Sequence, residues 1–168
     1  MCGKTPDLLW LEARGNEVVG VELSEIAVLA FFEDNGIEYE KVDGRLTHYR
    51  AARQRISLYC GDYFDFEAGS FDAHYDRGAL VALPVELRKR YARHTSALLD
   101  KDAHQLVITV EYDQGVCDGP PFSISDNEIQ GHWPGIRRHA VVDDIENAPP
   151  KFHAAGLEEM SEVVWIAD

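Results

Sequence analysis

The sequence predicts a doubly wound α/β fold, with one mostly parallel sheet covered by helices on both faces. Three observations point to it. Helical and strand patterns alternate almost to the end of the chain. The first strand pattern, Val18-Val19-Gly20-Val21-Glu22-Leu23, is an apolar run ending in a carboxylate, as in strands buried on both faces. Ahead of it stand the glycine turn Cys2-Gly3-Lys4 and a short helix. A turn, a helix and a strand closing on an acid is the layout by which such sheets hold an adenosine ribose.

Each element has its own signals. Thr5 is placed as an N-cap with Pro6 at the first helical position, and Gly15 closes that helix. Residues 17–23 follow as a strand. Ser24 caps a second helix with Ile26, Leu29 and Ala30 on one face, Phe31 and Phe32 adding bulk, and Asn35-Gly36 ending it. The charged stretch 38–55 reads as either a short helix or a surface excursion. Strands follow at 56–60 and 71–75. Pro84 opens a helix to about Leu99, with Leu87, Tyr91, Ala92 and Leu98 as its apolar stripe. Gln105–Glu111 is the clearest strand, and Gly119-Pro120-Pro121-Phe122 a rigid loop leading to a short helix capped at Ser125. Residues 136–143 and 159–166 read as two late strands, antiparallel neighbours. With no repeat and no low-complexity tract, one domain over residues 1–168 is expected.

The chain has 168 residues, enough for one core, with 45% hydrophobic and 27% charged residues. Its net charge of −14 argues against nucleic acid as a partner and for a soluble surface. Apolar runs are strand-sized, so neither a membrane span nor a signal peptide is expected. Cys2, Cys60 and Cys117 are odd in number and far apart, which predicts reduced thiols and a cytoplasmic location. The seven histidines show no metal-ligand spacing, so no metal is expected.

Three segments carry chemistry. Glu22 ends a buried strand about twenty residues after a glycine turn, where a carboxylate can accept from both ribose hydroxyls; Gly3 lets backbone approach a ligand. One glycine instead of three weakens the nicotinamide-dinucleotide reading. Gly61-Asp62-Tyr63-Phe64-Asp65 follows the third strand pattern: Asp62 can accept from an exocyclic amine and Tyr63 or Phe64 can contact a ring, or the segment is a turn with core aromatics. Asp76 and Arg77 follow the next strand, where an arginine can bind a carboxylate or heterocycle and favour an anionic nucleophile; an internal ion pair is the plainer reading. His74 reads as a packed or half-exposed histidine, and Trp10, Trp133 and Trp165 read as core or rim packing.

In this order, Cys2-Gly3-Lys4, Asp7-Leu8-x-Trp10-Leu11, Gly20-Val21-Glu22-Leu23-Ser24, Asp76-Arg77-Gly78-Ala79-Leu80-Val81-Ala82 and Gly119-Pro120-Pro121-Phe122 resemble the thiopurine S-methyltransferase family, especially its bacterial members. The resemblance spans essentially the whole chain. It implies a Rossmann-like methyltransferase fold, S-adenosyl-L-methionine as methyl donor, and transfer to the sulfur of a small thiol or thiopurine, or to selenium or tellurium compounds. It places Met1 where the family has a leucine whose backbone touches the donor. Glu22 matches the ribose acid, and Asp62 and Tyr63 the adenine contacts. Arg77 matches the arginine near the donor's methionine part and the acceptor, and Lys151 falls near an acceptor-side arginine.

The family also carries an N-terminal region with a tryptophan-rich helix, and an apolar first strand leading into the position of Cys2. Neither is among these residues. The fold is thus expected to be incomplete at its N-terminus, with a rearranged sheet, an edge completed by another chain, or a longer parent protein as the outcomes. A complete protein of this kind would be a monomer; the missing strand leaves room for oligomerisation. Asp76 and Arg77 are expected to orient the acceptor, and this chain alone to methylate poorly or not at all. The alternative is a non-catalytic remnant with at most weak donor binding.

Overall fold

A computed structural model describes every residue except Ala68. The chain divides after Glu67 into two compact units, each built on a four-stranded sheet.

The first unit contains α1 (Asp7–Glu12), β1 (Val18–Glu22), α2 (Glu25–Asp34), β2 (Tyr39–Val42), β3 (Thr47–Ala51), β4 (Ile56–Cys60) and a 3-10 turn, Tyr63–Asp65. Its strand order is β1-β4-β3-β2. β1 and β4 run parallel with Glu22 beside Cys60, and β3 is antiparallel to both β4 and β2. The charged stretch 38–55 is therefore a β-hairpin, neither a helix nor a plain excursion. Period-2 alternation makes it so: Tyr49 and Ala51 are buried while Arg50 between them is exposed. The strand β2 has one half-buried residue, Tyr39, and its exposed Glu40 and Lys41 mask the pattern.

The core of this unit gathers Val28, Phe31, Phe32, Tyr49, Ile56 and Leu58. Helix α2 is held at its start by the Ser24 hydroxyl, which accepts from the Ala27 amide at 3.3 Å. At its end Gly36 adopts φ +62° and the Ile37 amide donates to the Phe32 carbonyl at 2.9 Å. The buried face of α2 is Val28, Phe31 and Phe32 instead of Ile26, Leu29 and Ala30; Ile26 is 81% exposed. This helix is apolar over most of its circumference, so the two aromatic rings, which remove the most area from water, decide which side faces the sheet. In α1 Pro6 occupies the cap position, and the Thr5 hydroxyl accepts from the Asp7 amide at 3.3 Å.

The second unit contains β5 (Phe71–Arg77), a 3-10 turn (Leu80–Ala82), α3 (Val85–Leu98), β6 (Leu99–Glu111), α4 (Asp126–His132), β7 (Arg137–Asp143), α5 (Pro150–Ala154) and β8 (Ser161–Ala167). Its order is β5-β6-β8-β7. β5 and β6 are parallel, and β8 is antiparallel to β6 and β7, so the two late strands do pair as neighbours. Strand β6 starts directly after α3, earlier than its apolar part suggests, because its first half is exposed and polar. Trp165 is fully buried and its indole N–H donates to the Thr109 hydroxyl at 2.8 Å. Trp133 is buried as well, whereas Trp10 is 55% exposed with the Arg14 guanidinium 3.3 Å from its ring centre.

Both sheets are mixed instead of mostly parallel. Among the described strands only β1–β4 and β5–β6 are parallel pairs, because the hairpin and the C-terminal strands join antiparallel. Each parallel pair also stands at an end of its sheet. In β1 the backbone groups of Val18, Gly20 and Glu22 face β4, which leaves those of Val19 and Val21 on the other flank. On that flank the Cys2 amide donates to the Val21 carbonyl at 3.0 Å.

Candidate functional site

Glu22 lies at the carboxyl end of β1, and the chain's own start is folded against it. One carboxylate oxygen accepts from the Gly3 amide at 2.8 Å and the other from the Ser24 amide at 3.0 Å. The terminal ammonium of Met1 stands 3.6 Å away. Burial alone would push this carboxyl up, but the Ser24 and Gly3 amides and the nearby ammonium outweigh it and hold Glu22 below its ordinary value. Gly3 has φ +57° and open space where a side chain would start. Cys2 packs inward: its Sγ lies 2.7 Å from where a Cβ on Gly20 would sit, and burial pushes its thiol up to about 11. Gly20 is thus required by close packing of the turn on β1.

Asp62 and Tyr63 follow β4, beside the end of β1. The Gly61 amide donates to the Glu22 carbonyl at 2.9 Å, tying the two strand ends together. The Asp62 carboxylate caps the short 3-10 turn through the Phe64 amide at 2.9 Å and is otherwise exposed. Tyr63 is half-buried at the first position of that turn. The first unit therefore brings Met1, Gly3, Glu22, Asp62 and Tyr63 to the carboxyl edge of one parallel strand pair. Leu23 and Ile26, just past the end of β1, are 70% and 81% exposed, although the helical pattern put Ile26 on the apolar face of α2.

In the second unit Asp76 and Arg77 end β5. Asp76 is only 2% exposed and turns inward. Its carboxylate accepts from the Ala79 amide at 2.9 Å, the Leu80 amide at 3.2 Å and the Tyr91 hydroxyl at 2.9 Å. Gly78, at φ +99°, makes the turn possible. Arg77 is exposed at the strand end. Lys151, on α5, donates to the Asp118 carbonyl at 3.2 Å, next to the Gly119–Phe122 loop. That loop is anchored by the Phe122 amide on the Val81 carbonyl at 2.6 Å and by the Tyr112 hydroxyl on the Pro121 carbonyl at 2.7 Å.

Sequence reasoning missed Tyr91 and Arg88. Tyr91 lay in an apolar stripe where nothing separates an anchoring hydroxyl from a packing ring. Arg88 is 4% exposed; its Nε donates to the Leu83 carbonyl at 2.8 Å and it pairs with Glu128 at 2.9 Å. A cavity of about 780 Å³ in the same unit is lined by Glu111, Asp126, Arg138 and Met160, among others, and by none of the anticipated site residues. Burial and the neighbouring Asp126 raise Glu111 there, against the pull of Arg138. Among the described residues no cluster of metal-ligating side chains forms, and no helix is long and apolar enough to cross a membrane.

Comparison with known proteins places these observations in context. The family model for thiopurine S-methyltransferase matches residues 1–168. The thiopurine S-methyltransferase of Bordetella petrii is 43% identical over 171 residues, covering 98% of this chain and 77% of the relative. That of Pseudomonas aeruginosa PAO1 is 41% identical over 175 residues, covering 100% and 79%. Among solved structures, YcgJ from Bacillus subtilis superposes with a TM-score of 0.68 at 12% identity, over 98% of this chain and 87% of its own. TehB from Haemophilus influenzae gives 0.63 at 14% identity; this chain spans 54% of its length. A magnesium protoporphyrin IX methyltransferase from Synechocystis with bound SAH gives 0.61 at 14% identity, over 99% and 71%. At such identities these structures speak for the fold alone, an α/β fold of the S-adenosylmethionine-dependent methyltransferase kind.

Proposed function

Because the chain belongs to the thiopurine S-methyltransferase family, we propose that it binds S-adenosyl-L-methionine at the end of β1 and serves methyl transfer to the sulfur of a small thiol or thiopurine, or to a selenium or tellurium analogue. The observation that carries this reading is Glu22: an ionised carboxylate at a parallel strand end, its two oxygens aimed by backbone amides. Each oxygen retains acceptor capacity for a ribose hydroxyl. Nothing stands within 4 Å of where a side chain on Gly3 would begin, which supports close approach of a ligand to this backbone, and the residues present fit the donor.

Glu22 would hold the ribose, Met1 and Gly3 the backbone side, and Asp62 and Tyr63 the purine. Bound there, the donor supplies an electrophilic methyl group on a sulfonium. Arg77 is assigned to the donor's methionine part and to the acceptor: its guanidinium pairs with the donor's carboxylate, orients an anionic sulfur and favours the thiolate over the thiol. Lys151 adds a second positive charge on that side. Asp76 is buried in its own turn and acts through it, so it holds Arg77 in place instead of touching the acceptor. Methyl transfer of this type needs alignment more than acid–base machinery. The single family model spanning residues 1–168 supports treating both units as parts of one methyltransferase domain. The free cysteines and strongly acidic composition fit a cytoplasmic protein.

A second reading is favoured by one observation: among the described residues β1 has a single strand neighbour, β4. A strand buried on both faces normally lies inside a sheet, and pairing on one side only argues for weak donor binding and little turnover by this chain alone.

Calorimetry with S-adenosyl-L-methionine tests both readings. Saturable binding that disappears in Glu22→Ala supports the donor site, and thiol and thiopurine acceptors are then offered with labelled donor. Absence of binding by a folded sample discards the first reading in favour of the remnant.

A further inference from the structure

We propose that Tyr91 is a positioning residue for Arg77, acting through Asp76. The role of Arg77 toward the donor and the acceptor is the reading given above, and the proposal rests on it.

A carboxylate as deeply buried as that of Asp76 requires donors. The Ala79 and Leu80 amides belong to the same turn, so they close it without fixing where it stands. The third donor comes from another element: the Tyr91 hydroxyl on α3, 2.9 Å from Asp76 Oδ2. Tyr91 is itself held, being 3% exposed with its ring edge-on to buried Trp133 at 6.4 Å and 81°. The hydroxyl therefore references the turn to the helical side of this unit. Arg77 directly follows Asp76 in the chain, and Gly78 at φ +99° provides no stiffness of its own. A carboxylate released from Tyr91 moves the turn and the arginine together.

Tyr91→Phe removes one oxygen and keeps the ring, so the fold survives and the hydroxyl alone is tested. Two measurements are made on the full chain: amide hydrogen exchange at Ala79 and Leu80, and affinity for S-adenosyl-L-methionine, each with and without Arg77→Ala. The expected result is exchange at both amides faster by about tenfold, the scale of one lost hydrogen bond to a charged group. Donor affinity falls in the Arg77 background and does not fall further in Arg77→Ala, a non-additivity that general destabilisation does not produce. Unchanged exchange overturns the proposal, and so does an equal loss of affinity in both backgrounds. If the unsubstituted chain binds no donor, the functional reading of the site fails by itself. The exchange at Ala79 and Leu80 then decides whether Tyr91 sets the turn.

Discussion

Against burial, which pushes it up, the Ser24 and Gly3 amides and the terminal ammonium hold Glu22 below its ordinary value. Its folded-state value lies below the ordinary 4.5, so its contribution to stability is present above the unfolded value and is lost as pH falls through the lower folded one. Denaturant melts of the chain and of Glu22→Gln should therefore differ at neutral pH, and the difference should fade as the pH falls through the lowered folded-state value. A difference that stays constant through the acid range contradicts the arrangement. Gly20→Ala is the steric counterpart: its new methyl meets Cys2 Sγ and Leu58 Cδ2, both at 2.7 Å. It should cost about 1–3 kcal/mol, as overpacking does, in a urea titration. Glu22 was legible because an acid closing an apolar strand after a glycine turn is itself a pattern. The inward turn of Asp76 was not, since an Asp-Arg pair after a strand has the same spelling whether it faces solvent or core.

Helix α3 and helix α4 are joined by the Arg88–Glu128 pair, with side chains 5% and 23% exposed. Removing one member of a buried pair typically costs about 3–5 kcal/mol, and Arg88→Ala should sit at the low end because Glu128 keeps some water. The double variant Arg88→Met, Glu128→Gln should recover much of that loss in the same melt; a loss as large as that of Arg88→Ala would mean that packing of the arginine stem matters more than its charge. The elements that sequence reading recovered are those with strong punctuation: Ser24 and Gly36 around α2, and the apolar half of β6. The hairpin β2–β3 escaped because Glu40, Lys41 and Arg50 occupy its solvent face, and charge density there outweighed the alternation of Tyr39, Tyr49 and Ala51. The buried face of α2 escaped for the opposite reason, an excess of apolar positions.

For the chain as a whole, β1 stands at the end of its sheet with β4 as its one strand neighbour among the described residues. Val18, Gly20 and Glu22 direct their amides to β4, whereas Val19 and Val21 do not. Dilute monomer should show alternating exchange along β1, slow at the first three and fast at the other two. Uniform protection would mean that a further strand, from another copy or another segment, covers this edge. The division into two units was beyond sequence reasoning, because strand patterns report which face is buried and are silent on which strand lies next to which.

Anything fused ahead of Met1 turns into an amide the terminal ammonium that stands 3.6 Å from the Glu22 carboxylate. A purification handle placed there would thus alter the charge beside the very residue whose ligand is to be measured. The opposite terminus is the safer place for a handle: Asp168 follows β8 with its side chain 68% exposed.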